Sequence, residues 1–171
     1  MKKLFLLLLK RDLLIYARDY PEYFLNVCIW IILDIGIFAY LMPYFGLQQN
    51  FGTFILASVV ASLGVFEAMH SAESFVVDLD GEKQITYDLT LPIDSTLIFV
   101  QRACLYIVRM MLLSVLVIPC GKLIFWYKID LSHFSLGYFV LAFVAAHVMY
   151  GFFTLWLVSF LKDLDNVRNV W

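Results

Sequence analysis

The chain has 171 residues, of which 63% are hydrophobic, 18% aromatic and 15% charged, with a formal net charge of −2. Mean hydropathy is +0.87, and a soluble domain of ordinary make-up is only about half apolar and about a quarter charged. That balance excludes intrinsic disorder and a soluble enzyme with one modest core. The absence of a basic footprint argues against nucleic acid as a partner. The expected fold class is an all-α membrane protein forming a single transmembrane domain over residues 1–171.

Read in chain order, the N-terminal stretch Met1–Tyr20 carries Lys2, Lys3, Lys10, Arg11 and Arg18 among leucines. Its apolar run Leu4–Leu9 is short for a secretory signal, which takes about 7–15 apolar residues, and no small-residue cleavage site follows. The stretch is expected to be an interfacial helix lying on the membrane surface.

A membrane span needs about 20 mostly apolar residues, and four stretches qualify. They cover about 23–45, 51–71, 103–121 and 134–161. The first contains Asp34 and ends at Pro43 and Gly46; the second contains Gly64, Glu67 and His70; the third contains Arg109 and Pro119; the fourth contains His147. Cytoplasmic segments are enriched in Lys and Arg. An arrangement with both ends inside places nine of these residues in the cytoplasm and two, Lys122 and Lys128, outside, with Arg109 left within its span. The expected location is the cell (inner or plasma) membrane, crossed several times.

The link from the second to the third span, about 73–97, holds six acidic residues and one lysine, with Gly81 and Pro92 as helix breakers. Around Thr86-Tyr87-Asp88-Leu89 a short helical piece with exposed apolar residues is expected. A surface of that kind on the cytoplasmic side suits a docking partner. The other reading is a simple continuation of the two flanking helices into the cytosol.

Motifs that carry chemistry are missing. There is no GxxxxGK[ST] phosphate cradle, no HExxH and no GxSxG. Asp78-Leu79-Asp80-Gly81 imitates part of a calcium loop, but the first-ligand position is Val76 and the closing glutamate position is Tyr87, so calcium is rejected. The three cysteines, Cys28, Cys104 and Cys120, have no metal-ligand spacing, and the histidines His70, His133 and His147 lie in separate segments. No enzyme activity, metal or cofactor is expected on this chain.

Ionisable residues inside spans are costly and usually face a bundle interior. Measured from the charges that bracket each span, Asp34, Arg109 and His147 fall at similar depth. An Asp34–Arg109 ion pair with His147 in reach is therefore one expectation. The alternatives are a snorkelling Arg109 and a His147 that simply bonds a neighbouring helix. Small residues at Ala57, Ser58, Ala61 and Ser62, and at Ala142 and Ala146, suggest helix contacts, within the chain or between subunits.

The order of these features resembles the membrane (permease) subunit of type-2 ATP-binding-cassette exporters. A basic surface helix, a short uncharged outer link, a Glu-containing exit from the second span, and then Gly and Thr-Tyr-Asp-Leu-x-Leu-Pro-Ile carry most of the likeness. The ending Phe160–Trp171 is similar to the family's inner segment after the fourth span. The resemblance implies a cytoplasmic coupling helix docking on a separate ATP-binding-cassette ATPase, with Glu73, Gly81, Thr86, Tyr87, Leu91 and Pro92 as coupling residues. It further implies a homodimer or a partner permease, and cargo of the lipid, glycolipid, polysaccharide or drug class. Family members typically have six spans and four are expected here, a departure that fits a truncated or a split gene product, with the missing spans on another chain. The competing expectations are a small ion- or proton-coupled carrier using Asp34, Arg109 and His147, and a non-transporting scaffold subunit.

Overall fold

The computed structural model describes residues 2–37, 41–46, 51–81, 83–124 and 135–160. The similarity at 161–171, His133 and most of the link before the second span lie outside the described residues. All regular structure among the described residues is helical: α1 (Lys2–Gly36), a 3-10 turn (Met42–Phe45), α2 (Phe51–Asp80), α3 (Gln84–Leu89), α4 (Ser95–Ser114), α5 (Val117–Ile124) and α6 (Leu136–Val158).

Helix α1 differs from the expected surface helix followed by a separate span. It is one helix of 35 residues with Pro21 inside it, about 52 Å long at the usual rise. Proline removes one backbone hydrogen bond and crowds the carbonyl four residues earlier. Apolar helices tolerate it where neighbouring elements support the freed group, and α1 packs along α2, α4 and α5. The described part of α1 runs to Gly36 and the 3-10 turn covers Met42–Phe45; residues 38–40 of the expected span lie outside the described residues.

The third apolar stretch is divided rather than straight. α4 stops at Ser114 and α5 resumes at Val117, with Leu116 N donating to Leu113 O at 3.3 Å across a tightened turn. Pro119 explains the break, because it offers no N–H to Val115 O and its ring pushes that carbonyl away. Regular bonding returns at once, Cys120 N donating to Leu116 O at 3.1 Å. Among the described residues two helical stretches are long and apolar enough to cross a membrane, Ser95–Leu123 and Leu136–Val158.

Packing places α2 and α4 against α6, with α1 on α4 and α5. Two apolar clusters form. One joins Ile31, Leu56, Val59, Val60 and Val117; the other joins Ala68, Phe75, Ile85, Tyr106 and Met110. Helix α6 is inverted relative to a water-soluble helix. Its buried residues are His147, Gly151 and Thr154, whereas Leu141, Val144, Met149, Phe152 and Trp156 face outward. A contiguous outer surface of large apolar side chains suits lipid and not water.

The small-residue stripe expected on α2 is not the face that α2 turns to the bundle within the chain. Ala57, Ser58 and Ala61 are exposed, and the face that meets the bundle is Gly64, Ala68, Ser71 and Ala72. A Cβ at Gly64 would come within 2.6 Å of Tyr150 Cε2, so glycine is required for α2 and α6 to approach this closely. Ala142 is exposed and Ala146 half-buried on α6. Gly151 serves the other α6 contact: a Cβ there would strike the Ile107 side chain and lie 3.1 Å from the Ala103 carbonyl oxygen of α4. Because that carbonyl is backbone, it has little room to yield. Gly151→Val is accordingly expected to destabilise the fold by about 1–3 kcal/mol in a denaturant titration in detergent. Gly137→Val, where nothing lies within 4 Å, should change the midpoint little.

Candidate functional site

The α2–α4 connection is held in place by side chains that the apolar pattern does not reveal. α2 ends at Asp80, and Lys83 turns the chain with φ +57°. Asp78, on the last turn of α2, then accepts from Gln84 N at 3.1 Å and Ile85 N at 2.8 Å. It thereby caps the free amides that open α3, which gives this carboxylate a structural role in place of the calcium role considered for its motif. Asp94 caps α4 in the same way, accepting from Thr96 N at 2.8 Å.

On α3 itself Ile85 and Asp88 are buried while Thr86, Tyr87 and Leu89 are exposed. Asp88 is 1% exposed and is gripped from two sides. Arg11 of α1 donates through both Nη atoms, at 3.0 and 2.9 Å, in a bidentate pair. Arg102 of α4 donates to the same carboxylate at 2.8 Å. Asp12 closes the network: it accepts from Arg11 Nε at 2.7 Å and Gln101 Nε2 at 2.9 Å, and lies 3.5 Å from Arg102 Nη1. Two arginines and two aspartates thus balance, and α1, α3 and α4 are tied through charge-assisted bonds. Burial by itself would raise the Asp88 carboxyl. The hydrogen bonds and positive charge of Arg11, joined by Arg102, outweigh it and hold the group below the ordinary carboxylate range. The same bond to Asp88 raises the Arg11 guanidinium above its ordinary value.

The expected intramembrane trio is not assembled. Arg109 donates to Glu67 Oε1 of α2 at 3.2 Å, and its guanidinium carbon lies 4.7 Å from the Tyr16 ring centre and 5.9 Å from that of Tyr23. Asp34 has no cation within ion-pair distance among the described residues. Unbroken helix explains the difference. Arg109 stands against Tyr16 and Tyr23 of α1, nearer Tyr16, and Asp34 lies 11 residues beyond Tyr23, about 16 Å along the axis. His147 is turned to its own helix, with Nδ1 at 2.7 Å from Phe143 O, and it packs beside Gly64 and Tyr150.

Of the expected coupling residues, Gly81, Thr86, Tyr87 and Pro92 are exposed and Leu91 is half-buried. Glu73 lies on α2, 3.9 Å from His70 Nδ1. Sequence reasoning missed Asp12, Asp88, Gln101 and Arg102 as a unit. A faint signal exists: Leu8, Asp12 and Tyr16 repeat every four residues, and Ile98, Arg102, Leu105 and Arg109 follow the same face of α4. Both stripes place charge among core residues.

Between α1 and α4, beside this network, lies a cleft of about 160 Å³ lined by Asp12, Tyr16, Tyr23, Gln84, Arg102 and Arg109, among others. No set of three or more His, Cys, Asp or Glu groups converges to hold a metal among the described residues. No family model matches the sequence, and neither the curated proteins nor the solved structures include a match.

Two outcomes follow from this geometry. A carboxyl held below its ordinary pKa of about 4 stabilises the fold fully above that value, and the contribution is lost as pH falls through the lowered one. Asp88→Asn should therefore cost on the order of 3 kcal/mol at neutral pH, and the gap to the natural protein should close in acid, read as denaturation midpoints at several pH values. In a double-mutant cycle, Glu67→Gln and Arg109→Gln should couple by about 0.5–3 kcal/mol. Asp34→Asn combined with Arg109→Gln should be additive.

Proposed function

We propose that the chain is the membrane-spanning subunit of an ATP-driven exporter, with four spans, both ends in the cytoplasm, and α3 as the helix that docks on a separate ATPase subunit. One observation carries this reading. α3 presents Thr86, Tyr87 and Leu89 outward while its inner face is fastened to three other helices, by Asp78 to α2, by Arg11 to α1 and by Arg102 to α4. A displacement applied to the outer side of such an element is passed to the bundle, because those hydrogen bonds and ion pairs join the two directly.

In this mechanism ATP closes a pair of ATPase subunits, the handle formed by residues 78–97 moves with them, and the bundle rocks as a rigid body to alternate access. A second copy or a partner permease completes the pathway. Cargo of the lipid, glycolipid, polysaccharide or drug class follows from the family resemblance alone. The inverted surface of α6 supports placement in the bilayer, and the basic residues of α1 support a cytoplasmic N-terminus. The competing carrier reading drew its pathway from Asp34, Arg109 and His147. It is less well supported by a geometry that pairs Arg109 with Glu67 and sets the other two apart.

Affinity purification of the tagged chain from its native membrane should bring down an ATPase subunit bearing a phosphate loop. Tyr87→Asp and Pro92→Asp, both at exposed positions, should reduce that recovery at least tenfold while the chain still inserts. Labelling of a cysteine placed at Tyr87 from the extracytoplasmic side would overturn the proposal.

A further inference from the structure

The three cysteines are not equivalent in space. Cys28 lies on α1 and Cys120 on α5, far apart in the sequence, yet their thiols are within side-chain hydrogen-bonding reach of each other. Helix packing explains the meeting. α5 lies along α1, and one apolar cluster takes Val27 and Ile31 from α1 together with Val117, Ile118 and Cys120 from α5. Cys28 falls between Val27 and Ile31 in the chain. Cys104 is on α4, 16 residues before Cys120, about 24 Å back along the helical path.

Chemistry narrows what two adjoining thiols can do. No set of three or more His, Cys, Asp or Glu groups converges among the described residues, so the three or four protein ligands that zinc takes are lacking. A disulfide needs two sulfurs and nothing else. Its bond of about 2 Å closes only between Cβ atoms already held near each other, and these two side chains meet on a packed seam between helices. Both thiols are half-buried and not sealed. Around them Leu25, Ile29 and Trp30 of α1 and Leu123 of α5 face outward, so an oxidant that reaches the pair has to be small and apolar.

We propose that Cys28 and Cys120 are an oxidisable pair that closes to a disulfide between α1 and α5 by exchange with a small apolar disulfide. One thiol loses its proton and attacks the oxidant's S–S bond, forming a mixed disulfide and expelling a thiolate, which takes up a proton. The second cysteine, deprotonated in turn, attacks the protein sulfur of that mixed disulfide. The mixed disulfide breaks, and the second thiolate leaves and is protonated. Two protein sulfurs are oxidised and the two oxidant sulfurs are reduced to thiols. The product ties α5 to α1 just where the break before Pro119 separates α5 from α4. The site does not depend on the exporter reading.

The test uses the full chain, reduced and purified in uncharged detergent, then treated with one equivalent of dithiodipyridine. Peptide mass spectrometry without reductant reads the products. The expected result is a cross-linked peptide joining Cys28 to Cys120, at least tenfold more abundant than any cross-link to Cys104, in protein that keeps monomer mobility on non-reducing electrophoresis. Dithiothreitol should remove it. Cys104→Ser, which leaves these two thiols as the only targets, should keep the cross-link, and Cys28→Ser should leave a stable pyridyl adduct on Cys120. Should Cys28→Ser fail to fold, the natural chain and Cys104→Ser decide. The proposal is overturned by pyridyl adducts that persist on Cys28 and Cys120 without a cross-link, by thiols that stay unreacted in Cys104→Ser, by cross-links to Cys104 in comparable amount, or by a Cys28–Cys120 link found only between two chains.

Discussion

Burying Asp88 commits the arrangement of the three helices around it. An isolated carboxylate removed from water carries a penalty of several kcal/mol, and here two guanidinium groups from different helices offset it. Neither partner could be released without leaving an unpaired buried charge. The bidentate Arg11 pair fixes direction as well as distance, so α1, α3 and α4 share one arrangement. Asp12 and Gln101 extend the constraint, since Arg102 must sit where it can reach both aspartates. A network of this kind contributes specificity of arrangement more securely than raw stability. Well-packed apolar residues could stabilise the same junction, but they would not tie one residue of α3 to one residue of α1.

Within the bundle, different physics governs. Lipid is as apolar as leucine, so helices associate through close approach and polar contacts instead of expulsion of oil from water. Gly64 and Gly151 supply the close approach on the two sides of α6. Thr154 adds a polar contact, its hydroxyl donating to Tyr150 O at 2.9 Å and lying 3.4 Å from Ala68 O. The bulky residues of α6 are displaced to the outside by that choice, which is why the helix reads as apolar all round in sequence yet buries mainly its small and polar members.

Much of this was legible from residue order. Apolar runs located the long helices, and the Gly81 and Pro92 breakers bracketed the short helix α3. The exposure of Tyr87 and the interior position of His147 also agree with the sequence reading. Pairing was less legible, because partners are chosen by axial register, and register depends on whether α1 bends at Pro21. A break there would have reset the depth of Asp34; the continuous helix instead sets Tyr16 and Tyr23 beside Arg109 and leaves Glu67 to take the ion pair. The small-residue stripe misled for a related reason. Ala57, Ser58 and Ala61 satisfy the rule for close packing, but so does the face starting at Gly64, and sequence alone does not rank two small faces of one helix.

Arg102 links the two polar features of the molecule. Its Nη2 holds Asp88 on α3, and the same residue walls the cleft. A side chain shared in this way cannot respond to one neighbour independently of the other, since Asp12 lies 3.5 Å from Nη1 of the same guanidinium. Glu67 and Arg109 extend this coupling to α2, where the carboxylate competes for the second guanidinium on the cavity wall. The network around Asp88 and the polar wall of the cleft are therefore one electrostatic system, joined through Arg102.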